Sequence, residues 1–183
     1  MADQTAVLAG GCFWCTEAVF LDVVGVTAVE SGYTGGQTVD PSYRQVCGGD
    51  TGHAEAIRVS FDPEQIGYSD LLDIFFATHD PTQLNRQGND VGTQYRSAIF
   101  PQDGEQSTIA VAKIGEVNAE QGGRVVTTVE PASVWYPAEA DHQDYWATEG
   151  QRNPYCMATI PPKLNKLRKS FRNRLKSEAG APA

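Results

Sequence analysis

The chain has 183 residues, 40% of them hydrophobic and 20% charged, with a formal net charge of −9 at pH 7. That length suits one domain burying about 70% of its unfolded surface, and the composition excludes wholesale disorder. No apolar run approaches the ~20 residues of a membrane span, and the acidic balance excludes duplex nucleic acid, whose phosphates need a basic face.

In chain order, Thr5 to Ala9 reads as a short strand ending at Gly10-Gly11, and Trp14 to Leu21 as a helix. Val23 to Tyr33 is extended, and Gly35-Gly36 opens a polar loop through Tyr43. His53 to Asp62 is a strand in which Ile57, Val59 and Phe61 alternate. Ser69 to Thr78 is a helix with Ser69 as its cap and Leu71, Leu72, Phe75 and Phe76 inward. Leu84 to Thr93 is a loop, Gln94 to Phe100 a strand, and Asp103 to Gln121 a helix followed by Gly122-Gly123. Val125 to Val129 is a strand, Ala138 to Thr148 a helix, Gly150 to Pro154 a linker, and 178–183 a frayed end. Strands and helices interleave, so the fold class expected is α+β, a two-layer sandwich over a single domain, 1–183.

Charge is unevenly spread. Lys163, Lys166, Arg168, Lys169, Arg172, Arg174 and Lys176 supply half of the basic residues, while 1–162 carry 7 basic against 22 acidic side chains. Leu164, Leu167, Phe171 and Leu175 recur at steps of three and four, which predicts a basic amphipathic helix over about 161–177. Its expected role is to pack on the acidic body, the alternative being a membrane or nucleic-acid contact.

Four cysteines are present: Cys12, Cys15, Cys47 and Cys156. The first residues, Met1-Ala2-Asp3-Gln4-Thr5, have no basic leader, so a cytoplasmic setting is expected, where stable disulfides are rare. Cys12-Phe13-Trp14-Cys15 then reads as redox-active or metal-binding. With Cys47 and Cys156 solitary, no second close pair exists to complete a structural zinc site, and no metal is expected. Cys12 falls at a helix start, where free N–H groups and the macrodipole favour a thiolate. Phe13 and Trp14 either fill core or wall a pocket around the sulfur.

Gly11-Cys12-Phe13-Trp14, Gly52-His53-Ala54-Glu55, Gly92-Thr93-Gln94-Tyr95-Arg96-Ser97 and His142-Gln143-Asp144-Tyr145 together resemble the peptide methionine-(S)-S-oxide reductase family, the A-type methionine sulfoxide reductases. The resemblance runs from about residue 6 to residue 146. It implies a ferredoxin-like α/β sandwich with extra helices and long loops, reducing the S epimer of free or protein-bound methionine sulfoxide. Cys12 would be the attacking cysteine, Phe13 and Trp14 would hold the substrate methyl group, and Glu55 would be the acid. Tyr43 and Tyr95 would bind the sulfoxide oxygen, and Asp90 falls at a position that contacts substrate backbone.

The chemistry agrees with those roles. A sulfoxide oxygen must be neutralised as a thiolate attacks sulfur, and a carboxyl does this at neutral pH only if burial keeps it protonated. Read from the residues alone, Glu55 is instead a partner for Arg58 or Arg96, and His53 and His142 support packing or loop geometry. Cys12 would pass to a sulfenic acid, a second thiol would condense with it, and an external dithiol, by resemblance thioredoxin, would restore both thiols. Cys156, in a stretch that looks mobile, ranks ahead of Cys15 as that second thiol, with a relay through both as an alternative. Cys47 reads as a small buried apolar residue. No cofactor and a monomeric state are expected. The competing readings are a general thiol–disulfide oxidoreductase using Cys12 and Cys15, and a zinc or interaction module.

Overall fold

The computed structural model describes residues 2–176. The expected fraying of 178–183 and the last position of the 161–177 helix lie outside the described residues. The elements are β1 (Gln4–Gly10), α1 (Phe13–Leu21), β2 (Val26–Thr34), α2 (Tyr43–Cys47), β3 (Ala54–Phe61), α3 (Tyr68–Ala77), β4 (Arg86–Gln87), β5 (Asp90–Val91), β6 (Ser97–Phe100), α4 (Gly104–Glu120), β7 (Thr128–Val129), β8 (Tyr136–Pro137), α5 (Tyr145–Thr148) and α6 (Pro154–Ser170).

Six strands form one sheet in the order β7-β6-β1-β3-β2-β8. The inner four, with α1 and α3 as crossovers, make the βαββαβ arrangement of a ferredoxin-like fold. Neighbours are antiparallel except β6 and β7, whose parallel pairing is bridged by α4, as a parallel connection requires. Strand periodicity divides β3 between two faces. Ile57, Val59 and Phe61 enter the main core under the helices, while Ala54 and Ala56 join Val7, Ala9, Ala98 and Phe100 on the other face, covered by Trp135. Glu55 shares the parity of Ile57, so it points into the helical layer.

Several elements differ from expectation, each for a local reason. The cap of α3 is Gly67 rather than Ser69, because the Asp70 carboxylate reaches back to accept the Gly67 N–H at 3.1 Å. The 84–93 loop contains the β4–β5 hairpin, and Thr93–Tyr95 is a 3-10 turn that delays β6 to Ser97. Tyr43 opens a short helix, α2, closed by a capping box between Ser42 and Gln45. The 138–148 helix is broken into a 3-10 turn, Ala140–His142, and the single turn α5. The break is at Gln143, whose side-chain amide accepts from Ser31 N–H and donates to Ser31 O, both at 2.8 Å, in place of helical pairing. Asp144 follows in the left-handed region at φ 50°.

The basic helix, α6, begins earlier than 161 and ends at Ser170, where Phe171 caps it and Arg172–Arg174 form a 3-10 turn. Pro154 stands at its first turn, where a missing N–H costs nothing, and Asn153 Oδ1 accepts from Tyr155 N–H at 2.9 Å. Ile160, Leu164 and Leu167 are buried against α1 and α3, so the amphipathic stripe packs on the body. Leu175 then bridges to Val23, and Arg174 pairs with Asp70 at 3.3 Å. Among the described residues no helix is long and apolar enough to cross a membrane.

Candidate active site

The β1–α1 junction sets the site. Gly11 turns the chain at φ +94°, and a Cβ there would lie 2.7 Å from the Gln87 side chain. Cys12 is the N-cap residue of α1 and is 8% exposed. Phe13 N–H, one of the free donors at the helix start, donates to Glu55 Oε1 at 3.2 Å. Glu55 is 1% exposed, and its other oxygen, Oε2, is buried with no hydrogen-bond partner among the described residues. Burial pushes this carboxyl up to about 8, against the opposing pull of the Phe13 N–H, with the charges of Asp90 and Cys15 adding to the rise. Glu55 is therefore a neutral acid at pH 7. Its alternative partners are occupied: Arg58 pairs with Glu30 at 2.7 Å and Arg96 with Glu130 at 2.9 Å.

Aromatic rings surround the cysteine. Trp14 stacks on Tyr145 with centroids 4.0 Å apart and on His142 at 5.7 Å, and its indole N–H donates to His142 Nδ1 at 3.1 Å. Tyr43 lies 4.1 Å from His142 and 6.1 Å from Phe13. Glu139 accepts the Tyr43 N–H at 3.2 Å and the Tyr33 hydroxyl at 3.4 Å, and it faces His142 Nε2 at 3.7 Å. His142 is thus a hub of the cage. His53 holds a loop, accepting from Gly36 N–H at 3.0 Å and lying 2.7 Å from Thr38 O.

Tyr43 and Tyr95 both reach the thiol of Cys47 and lie in the field of Glu55 and Cys12. Burial drives both phenols above their ordinary value, so each remains a neutral donor. Cys47 itself is exposed rather than buried, because α2 turns it toward the tyrosines and away from the core. The sequence reading missed its place at the rim, and also the cage roles of Tyr145 and Glu139. The one available signal was helical spacing, since Tyr43 and Cys47 stand four apart. Asp90, on β5, takes a short hydrogen bond from the Tyr155 hydroxyl of α6.

All four cysteines are free thiols. Cys15, 3% exposed in the first turn of α1, is hydrogen-bonded to Cys12 and lies 3.6 Å from Thr159 Oγ1. Cys156 is fully buried in the first turn of α6, not in an open segment, and burial raises its thiol to about 11. Burial and mutual contact shift the two thiols of the Cys12–Cys15 pair in opposite directions. Burial pushes the Cys12 thiol well up, and Cys15 and Glu55 add to the rise against the Trp14 N–H. The hydrogen bond from Cys12 brings Cys15 down to about 7 against its burial, with Thr159 and then Lys163 assisting. The two thiols titrate together, so the first proton to leave belongs to the pair rather than to either sulfur alone. Among the described residues no three His, Cys, Asp or Glu side chains gather as metal ligands would.

A family model described as peptide methionine sulfoxide reductase matches residues 4–175. A protein of Erwinia tasmaniensis named peptide methionine sulfoxide reductase MsrA is 66% identical over 171 residues, covering 93% of this chain and 96% of that one. Among solved structures, reduced Mxr1 from Saccharomyces cerevisiae superposes with a TM-score of 0.76 at 36% identity, over 82% of this chain and 87% of that one. Mxr1 in complex with Trx2 superposes with a TM-score of 0.55 at 26% identity, over 79% and 85%.

Proposed function

The chain belongs to the peptide methionine sulfoxide reductase family, and we infer from the site how it turns the S epimer of methionine sulfoxide into methionine. It is an oxidoreductase, and repair of oxidised methionine is the consistent role. The observation that carries the mechanism is the neutral, buried Glu55 with an unpartnered oxygen beside the Cys12 sulfur.

In the proposed cycle Phe13, Trp14 and the surrounding rings hold the substrate methyl group, and Asp90 takes the substrate backbone. The sulfoxide oxygen enters between Glu55, Tyr43 and Tyr95. Cys12 passes its proton to Cys15 along their shared hydrogen bond and attacks the sulfoxide sulfur as thiolate. Glu55 protonates the oxygen as the new sulfur–sulfur bond forms. The sulfoxide S–O bond and the new sulfur–sulfur bond then break as the hydroxyl passes to the Cys12 sulfur, which becomes a sulfenic acid. Methionine leaves, reduced by the two electrons that Cys12 has lost, and Glu55 is left as carboxylate.

We assign the resolving step to Cys15 ahead of Cys156. Cys15 stands one helical turn from Cys12 and acts on it directly, whereas Cys156 is buried in the capped first turn of α6 and feels Cys15 rather than Cys12. Cys156 lies within electrostatic reach of Cys15, which supports it as a second relay thiol. An external dithiol, thioredoxin, then reduces the disulfide by exchange, a reading supported by the yeast relative's complex with Trx2. No bound cofactor enters the cycle. The working unit we propose is the whole chain, 1–183, as a single-domain monomer in the reducing cytoplasm. General thiol–disulfide exchange is not favoured, because it leaves Glu55 and the aromatic cage unused.

The test is turnover of the separated epimers with a dithiol reductant. Wild-type protein is expected to form methionine from the S epimer and not from the R epimer, and Cys12→Ser to form none. Turnover retained by Cys12→Ser would reject the assignment.

A further inference from the structure

One face of the thiol pair lies outside the chemistry described above. A cavity of about 430 Å³ opens on the side of Cys12 and Cys15 formed by Gln87, Tyr155, Thr159 and Lys163. Thr159 and Lys163 stand four apart on α6, so they share one face of that helix. The Thr159 hydroxyl lies 2.8 Å from the Tyr155 carbonyl and 3.6 Å from the Cys15 sulfur, and its hydrogen bond helps to lower the Cys15 thiol. That contact carries no formal charge. The cation is the adjacent Lys163. Its ammonium is half-buried and donates to the Thr78 carbonyl at 2.6 Å, an acceptor without formal charge.

We propose that Lys163 is a positioning residue for the resolving step, its ammonium holding Cys15 as the thiolate that attacks the Cys12 sulfenic acid. The inference rests on Cys15 being the resolving thiol. In that step the Cys15–Cys12 sulfur–sulfur bond forms and the sulfur–oxygen bond of Cys12 breaks. The departing hydroxide takes up the proton Cys15 released on ionising and leaves as water, and the two sulfurs share the oxidation level that the sulfenic acid held alone. No outside electron is needed.

The other groups facing Cys15 are thiols, carboxyls and a phenol. Cys12 at the α1 cap, Glu55 on β3 and Asp90 on β5 present thiol or carboxyl groups, and Tyr155 and Cys156 on α6 present a phenol and a thiol. Lys163 is the positive group in that set. The groups facing Lys163 are the Thr78 carbonyl, Asp80 and His79 beyond α3, and Lys166 on its own helix. A cation beside a thiol favours its charged form, and loss of that cation moves the titration upward.

The experiment is rapid-quench single turnover with the S epimer across pH 5.5–9, reading methionine released and Cys12–Cys15 disulfide formed, by mass mapping, in the full chain. Lys163→Met is expected to release one methionine per enzyme, as wild type does. Its disulfide-formation profile should move up by about one pH unit, which is roughly tenfold slower closure on the acidic limb. Lys163→Arg should restore the wild-type profile. An unmoved profile in a folded Lys163→Met protein would overturn the inference while leaving the resolving role intact. Cys15→Ser is the control for that role: a disulfide that still closes on Cys12 at the wild-type rate would remove the resolving role itself, and the inference with it.

Discussion

Tyr43 and Tyr95 show at the residue scale how the site is readied for an oxygen it does not yet hold. Both phenols lie within the influence of the Cys47 thiol, a weak partner, so exchanging it for a sulfoxide oxygen costs little. Each hydrogen bond is worth about 0.5–1.5 kcal/mol net. Tyr43→Phe and Tyr95→Phe are each expected to lower kcat/KM for the S epimer roughly 3- to 10-fold, and the double variant more than either. Steady-state assays of the three variants check this, and an unchanged kcat/KM in the double variant would remove both tyrosines from the reaction. At this scale the residues alone pointed Glu55 to Arg58 or Arg96 and only the resemblance made it the acid, although it shares the parity of Ile57, Val59 and Phe61 on the helical face. It could not show how Cys12 and Cys15 share their first ionisation. That depends on the Cys12 contact and on Lys163, which arrives on a helix about 150 residues away in the chain.

At the scale of elements, helices with a strong cap and an apolar stripe were legible, as α4 shows with Asp103 accepting the Gln106 N–H at 2.8 Å. Elements built by long-range side-chain pairing were not. Gln143 clamps Ser31 across the fold, and nothing near Gln143 in the chain encodes that choice. A second such device pins α3 to β6. His79 Nδ1–H donates to Phe75 O at 2.6 Å, and Nε2 accepts from Ser97 Oγ at 2.8 Å, which lies 2.7 Å from Thr127 Oγ1. Burial brings His79 down to about 4. Its folded value is depressed, so between pH 6.5 and 4 the unfolded chain binds one more proton than the folded one, and stability is lost as pH falls through that window. The loss is on the order of 3 kcal/mol. Glu17 and Glu55, raised to about 7 and about 8, act in the opposite sense, their protonated forms being favoured by folding. Denaturant titration of wild type against His79→Asn isolates the histidine. Wild type is expected to lose stability toward pH 4 relative to the variant, and parallel curves would contradict this.

Across the whole molecule, the ferredoxin-like sheet brings three distant pieces of chain to one sulfur. β1 delivers Cys12 at the start of α1, β3 delivers Glu55 beneath it, and α6 closes over the far side with Tyr155, Thr159 and Lys163. The interleaving of strands and helices was readable from periodicity, but the strand order came through the resemblance and not from the pattern itself. The closing helix was read as basic and amphipathic. Its place beside the thiols could not be read, since an apolar stripe says that a helix docks and not where.

The account turns on a carboxylic acid that stays neutral until it is needed. The most direct test is the pH dependence of single-turnover methionine release from the S epimer in wild type and Glu55→Gln. The acid form of Glu55 is present below about pH 8 and lost above it, so the wild-type rate is expected to fall as pH rises through that value. Glu55→Gln should be slower by roughly 100-fold or more, the contribution of a positioned general acid, and should lack that fall. A Glu55→Gln protein that releases methionine at close to the wild-type rate would contradict the account.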